Sequence, residues 1–138
     1  MDIASMLELG TRHATLEAQC DLEGVMATLV DDPVYGFYPG GLGMQGQDRV
    51  RRYYQHLFES FVPATKSYRL IDEWANAASL AQEYEIVLQI AGRIETQRVV
   101  GVLYAEGELL GGERVYASDR CIRLMTGALY DELEPITS

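Results

Sequence analysis

The sequence predicts an α+β fold in which N-terminal helices pack on one face of a strongly curved antiparallel sheet. Three features lead there. Apolar residues recur at helical spacing as far as Phe61, the period switches to two from Ser67 onward, and the later apolar runs are joined by segments short enough for hairpins. The chain of 138 residues is expected to form a single domain, 1–138, and it shows no internal repeat or low-complexity stretch.

The elements follow in order. Met6, Leu9, Leu16 and Cys20, with Ile3 and Leu7 beside them, give the first helix an apolar face. Asp21 stands where an N-cap belongs, ahead of Leu22, Val25, Met26 and Leu29. Asp31, Asp32 and Pro33 are expected to end that second helix, because proline biases the residue before it out of helical geometry. VYGFYP is aromatic and β-branched and runs into GGLG, a strand entering a turn or short hairpin. From Gln47 to Phe61, Val50, Tyr53, Tyr54, Leu57, Phe58 and Phe61 form one helical stripe, which Pro63 closes. Strands are then expected near 67–76, 79–91, 96–106 and 111–125, with AGRIE and EGELLGG as turns, and the tail from Gly127 adds a helical turn.

Composition narrows the function. A formal charge of −10 repels phosphate backbones and anionic lipid, and the arginines are scattered, so neither nucleic acid nor a membrane surface is an expected partner. No apolar run approaches the roughly 20 residues that span a bilayer. The start MDIASMLELG lacks the positive charge of a secretory signal, which makes the cytoplasm the default expectation. Cys20 and Cys121 lack metal spacing and are expected as reduced, partly buried thiols. His13 and His56 are too far apart for a zinc motif, GGLGMQG lacks the arrangement of a phosphate loop, and no GxSxG or Cys/His pair is present. Any chemistry is therefore expected to need no metal and no cofactor.

The strings DLEGVMATLVDDPVYGFYP, GQDRVRRYYQHLFESF and EGELLGGERVYASDRCIRLMTG together resemble the nuclear transport factor 2-like superfamily, in particular its SnoaL-like branch of bacterial polyketide-cyclase relatives. That resemblance implies a cone-shaped α+β barrel with a pocket between helices and sheet, and a homodimer through the sheet's outer face. It covers polyketide cyclases, limonene-epoxide hydrolases, ketosteroid isomerases, dehydratases and non-catalytic binding modules, so the fold does not choose the reaction. Similarity to the epoxide hydrolases would put their arginine and first aspartate at Tyr84 and Ile86, their second aspartate near Val115, and their tyrosine and asparagine at Tyr35 and Phe37. The acidic and basic groups that reaction needs are missing, which disfavours it. Similarity to the cyclases points to an aspartate on the last strand. Asp119 is nearest but one place late, so either a bulge restores its aim or Ser118 takes the position. The cyclases' assisting histidine has no counterpart in TQRVVGVLYAEG.

Alternation assigns the remaining pocket residues. In SLAQEYEIVLQIA, Leu80, Tyr84, Ile86, Leu88 and Ile90 form the buried face, leaving Glu83 and Glu85 outward. Glu113, Val115 and Ala117 share a face on the last strand, and strict parity brings Asp119 with them. In YRLIDEW, Asp72 shares a face with Tyr68, Leu70 and Trp74, where a carboxyl would be desolvated. His13 lies on the stripe of the first helix, and histidine moves protons near pH 7. His56 reads as a surface residue. The candidate catalytic residues are thus Asp119, Asp72 and His13, and Tyr35, Phe37, Tyr53, Trp74, Tyr84, Glu113 and Val115 are the expected walls of a pocket for a small apolar molecule. The expected function is acid/base chemistry of the isomerase, cyclase or dehydratase kind on an apolar, ring-containing substrate. The alternative is a non-catalytic binding or dimerising module.

Overall fold

The computed structural model describes residues 1–136. Helices α1 (Ile3–Ala18) and α2 (Leu22–Ala27) lead into a hairpin of β1 (Leu29–Tyr38) and β2 (Leu42–Gln45). Helix α3 (Gln47–His56) continues through a π-helical turn, Leu57–Phe61, into the single turn α4 (Val62–Ala64). Four long strands follow: β3 (Thr65–Ala75), β4 (Ser79–Ile90), β5 (Arg93–Glu106) and β6 (Leu109–Tyr116). Helix α5 (Asp119–Thr126), a 3-10 turn over Gly127–Glu132 and the two-residue β7 (Glu134–Pro135) complete the chain.

The strands form one curved, unclosed sheet in the order β3-β4-β5-β6-β1-β2-β7. β3 to β6 are the antiparallel meander that their short connections demand. β1 pairs with β6 in parallel, which the long stretch of chain between them allows. The α+β class expected from the sequence is the one observed.

The helix starts follow capping chemistry: the Asp2 carboxylate accepts from the Ser5 amide and that of Asp21 from the Gly24 amide. The second helix stops at Ala27, earlier than expected, and Asp31, Asp32 and Pro33 lie inside β1, where its register with β6 is interrupted between Leu29 and Val34. Against the inner face of the sheet, α1 sets Met6 and Leu9 and α3 sets Val50, Tyr53 and Tyr54, all buried with Leu80, Leu88, Leu110 and Val115. Each such side chain contributes about 1.5–3 kcal/mol of burial. α1 comes so close to β4 that a Cβ at Gly10 would stand 2.4 Å from Leu80 Cδ2, so a larger residue there would push the helix off the sheet.

Two further expectations fail, each for a local reason. The last strand ends at Tyr116 instead of running to 125, because Ser118 Oγ accepts from the Cys121 amide at 3.0 Å and caps a helix whose Cys121, Ile122 and Met125 are buried at helical spacing. In β3, Leu70 pairs with Tyr84 but Asp72 pairs with Glu83, so Ile71 is an extra residue that reverses the alternation beyond it. The two cysteines are free as expected, but Cys20 is exposed; Cys121 is buried, its thiol pushed up to about 11 by desolvation. Among the described residues, no helix is long and apolar enough to cross a membrane.

Candidate functional site

A cavity of about 540 Å³ opens between α1, the α3 region and the inner face of β3 to β6. Its walls are mainly apolar: Leu57 and Phe61 from the π-helical turn, Ile86 from β4, and Val99 and Leu103 from β5. Its polar groups come from both helices and from the sheet. Helix α1 supplies His13 and Glu17, one turn apart on the same side; α3 supplies Tyr53; the strands supply Tyr84 and Glu113.

Glu113 is the singular group. On β6 it pairs across the sheet with Leu103 of β5 and Tyr35 of β1, which fixes its side chain on the inner face. Its carboxyl extends over Gly101: a Cβ there would lie 2.5 Å from Glu113 Oε2, so the glycine leaves the carboxyl its room. Glu113 is partly buried by surface area, since it lines the cavity, yet it lies deep enough in the fold that desolvation pushes its carboxyl well above the ordinary range, and the charge of Glu17 adds to the effect. Among the described residues, no side chain hydrogen-bonds it.

His13 is the second polar element, only 1% exposed and fixed by a directed chain of hydrogen bonds. Thr28 spends its one hydroxyl hydrogen on the Val25 carbonyl at 2.6 Å, so its oxygen accepts from His13 Nδ1, 2.7 Å away. Nδ1 therefore carries the proton, and in the neutral ring Nε2 is an acceptor. It receives the Tyr54 hydroxyl at 3.1 Å, and Tyr54 in turn receives that of Tyr35 at 2.5 Å. Glu17 Oε2 lies 3.4 Å from the same Nε2 and becomes its ion-pair partner when the ring is protonated. Burial holds the phenols of Tyr35, Tyr53 and Tyr54 well above the usual tyrosine range, and moves Tyr84 up to about 12. These hydroxyls are proton donors, never phenolates, near neutral pH.

The residues singled out in the sequence divide sharply. His13, Tyr53, Tyr84, Glu113 and Val115 line the cavity. Tyr35 and Phe37 sit one layer behind it, packed on the Tyr53 ring at centroid distances of 5.7 Å each. Trp74 and Asp72 do not face the cavity. The extra residue at Ile71 turns both to the convex side, where Trp74 is 51% exposed and Asp72 only accepts from its neighbour's amide. Asp119 is also outside: at the start of α5 it is exposed and bonded to Arg123 at 2.7 Å and Tyr130 at 2.5 Å, which hold its carboxyl below the usual range. His56 is partly buried instead of surface, donating from Nε2 to the Leu124 carbonyl. Sequence reasoning did not single out Glu17, Thr28, Tyr54 or Gly101 as site residues. Glu17 was within reach, since it falls four residues after His13 on one helix. Among the described residues, no group of three or more His, Cys, Asp or Glu side chains could hold a metal ion.

No protein-family model and no curated protein sequence matches the chain. Solved structures do. An NTF2-like protein from Anabaena variabilis shares 17% identity at a TM-score of 0.68, over 83% of this chain and 90% of that one. An NTF2-like protein of unknown function from Cytophaga hutchinsonii shares 13% at 0.69, over 82% and 99%. A protein with a ketosteroid isomerase-like fold from Catenulispora acidiphila, solved in complex with trimethylamine, shares 14% at 0.63, over 87% and 92%. The helices wrapped by a curved, unclosed sheet, and these likenesses over most of each chain, give this protein the fold of the nuclear transport factor 2-like superfamily.

Proposed function

We propose that the cavity binds a small, mostly apolar molecule and that Glu113 gives or takes a proton there, in metal-free chemistry of the isomerase, cyclase or dehydratase kind found in the SnoaL-like branch. The observation that carries this reading is a carboxyl without a side-chain partner, set in an apolar wall over Gly101 and raised well above its ordinary range. A carboxyl raised in this way keeps its proton to higher pH than an exposed acid and is a stronger base once ionised, the property that acid/base catalysis uses. The cavity volume of about 540 Å³ suits a ring-containing molecule. His13, with its proton fixed on Nδ1 by Thr28, presents a basic nitrogen to the Tyr54 hydroxyl and the Glu17 side of the cavity.

All three reaction types can begin by removing a proton next to a carbonyl, and one measurement covers that step. In D2O, 2-tetralone should exchange its C1 protons faster with the protein than in buffer, read by proton NMR. Glu113→Gln should lower the protein-dependent rate about 100-fold or more. Equal rates for the two proteins, or no acceleration by either, would leave the non-catalytic binding module as the reading.

The convex face supports a homodimer. Exposed Trp74 and partly buried Val102 flank the buried Ala81 across the strand pairing, with exposed Tyr116 nearby on β6. An aromatic and aliphatic patch of this kind is suited to a two-fold contact. Sedimentation at micromolar concentration should give a dimer that Trp74→Glu converts to monomer; a monomeric wild-type protein would remove the proposal.

A further inference from the structure

The charges around the cavity carry the reading further. None of the ten arginines lines it, and seven of them are engaged with carboxylates elsewhere on the molecule. The one lysine, Lys66, reaches only the mouth from an exposed position on β3, where solvent screens it. Two carboxyl groups line the cavity, Glu113 from β6, deep in the fold, and Glu17 from α1, whose side chain is 36% exposed and whose charge acts on Glu113. His13 is the only cavity base close to either, and its Nδ1 is already committed to Thr28. The cavity thus holds two acidic groups with too little positive charge to match them, in a chain whose formal charge is −10. Tyr53 and Tyr84 line the same cavity.

We infer that the ligand of this cavity is a protonated amine with an apolar body, its ammonium placed between Glu17 and Glu113 and against the tyrosine rings. The inference rests on the cavity being the binding site. A cation relieves the mutual repulsion of the carboxyls and gains the attraction of the ring faces, whereas an anion meets repulsion from both. A neutral hydrogen-bond acceptor of the same shape takes one hydrogen bond from a protonated Glu113 and nothing more. The overall negative field also draws cations toward the mouth.

Three probes of one size separate the possibilities: N,N-dimethylbenzylamine, a cation at neutral pH; N,N-dimethylbenzamide, neutral with an acceptor oxygen; and phenylacetate, an anion. Titration of the 15N-labelled full chain at neutral pH should show the amine binding roughly tenfold or more tighter than the amide, with phenylacetate without measurable effect. In Glu113→Gln the amine's advantage should shrink to a few-fold or less while the amide still binds, which also shows that the variant retains its cavity. Glu17→Gln, a change at the end of an otherwise intact helix, should shrink it partially. Amide binding as tight as the amine, or an amine advantage that persists unchanged in both variants, overturns the amine class and leaves the cavity as a binding site for neutral molecules. Binding by none of the three overturns the amine class and the cavity reading together.

Discussion

Two tyrosine hydroxyls in this protein make hydrogen bonds of the same length, 2.5 Å, and the two bonds differ in what surrounds them. Tyr35 bonds Tyr54 inside the fold, next to His13 and within the field of Glu113; Tyr130 bonds Asp119 at the start of α5, in water, beside Arg123. Inside, no solvent replaces a lost partner, so the three side chains from α1, β1 and α3 hold one another in place. Outside, every group can turn to water. The carboxyls nearest the two tyrosines follow the same division. Burial raises Glu113, while hydrogen bonds from Tyr130 and Arg123 lower Asp119. A strand and the helix that follows it therefore carry two acids whose proton affinities are shifted in opposite directions, and of the two only the one on the strand lines the cavity.

The sharpest way to break this comparison is to neutralise each acid in turn. The exchange rate that falls about 100-fold in Glu113→Gln should stay within about twofold of wild type in Asp119→Asn. A comparable loss in both would mean that the α5 start contributes to the chemistry and that the inside-outside division is not the one that matters.

Next in size is the same chemical change made at each tyrosine. Tyr54→Phe leaves His13 Nε2 and the Tyr35 hydroxyl without their buried partner and should cost roughly 1–3 kcal/mol in denaturant unfolding. Tyr130→Phe, with Asp119 still paired to Arg123, should leave the midpoint unchanged within error. Equal losses would show that the short bond at the surface matters as much as the buried one.

Why the two acids were hard to tell apart in the sequence has a physical answer. Alternation reads a strand correctly while the strand is regular, and β4 is: Tyr84 and Ile86 line the cavity, and Glu83 and Glu85 face outward to Arg98 and Arg69. β6 carries an extra residue at Gly111 and is regular from Gly112 to Tyr116, which is why Glu113 and Val115 share the inner face. Asp119 lies past the end of that strand. A serine ahead of Cys121, Ile122 and Met125 at helical spacing is a helix signal, but the period-two reading from Ser67 onward carries the strand on to 125. Asp72 and Trp74 are different: one unpaired residue, Ile71, reverses their facing, and nothing in YRLIDEW marks a bulge. The polar chain through His13, Thr28, Tyr54 and Tyr35 joins residues from four separate segments, which the packing of α1 on α2 and of α3 on α2 and β1 brings together. A tyrosine on an apolar helical stripe looks the same in sequence whether its hydroxyl is idle or part of such a chain.

The smallest effects, and the most diagnostic, are in the pH dependence of stability, because the two acids should tilt it in opposite senses. Glu113 has a folded value raised above the ordinary 4.5, so between 4.5 and that raised value the folded chain keeps a proton that the unfolded chain has released. Its contribution is complete below 4.5 and declines as pH rises through the window, by up to about 1.4 kcal/mol per pH unit. The stability of wild type minus that of Glu113→Gln should therefore fall on going from acid toward neutral pH. Asp119 has a folded value lowered below 3.8, so its contribution is present above 3.8 and disappears as pH drops through the folded value. Wild type minus Asp119→Asn should fall only at the acid end, and slightly, since that carboxylate is in water. Urea midpoints across the acid-to-neutral range for the three proteins resolve both slopes. A flat difference for Glu113→Gln above 4.5 would mean that water reaches the carboxyl freely, and the cavity would then have no buried acid with which to do chemistry.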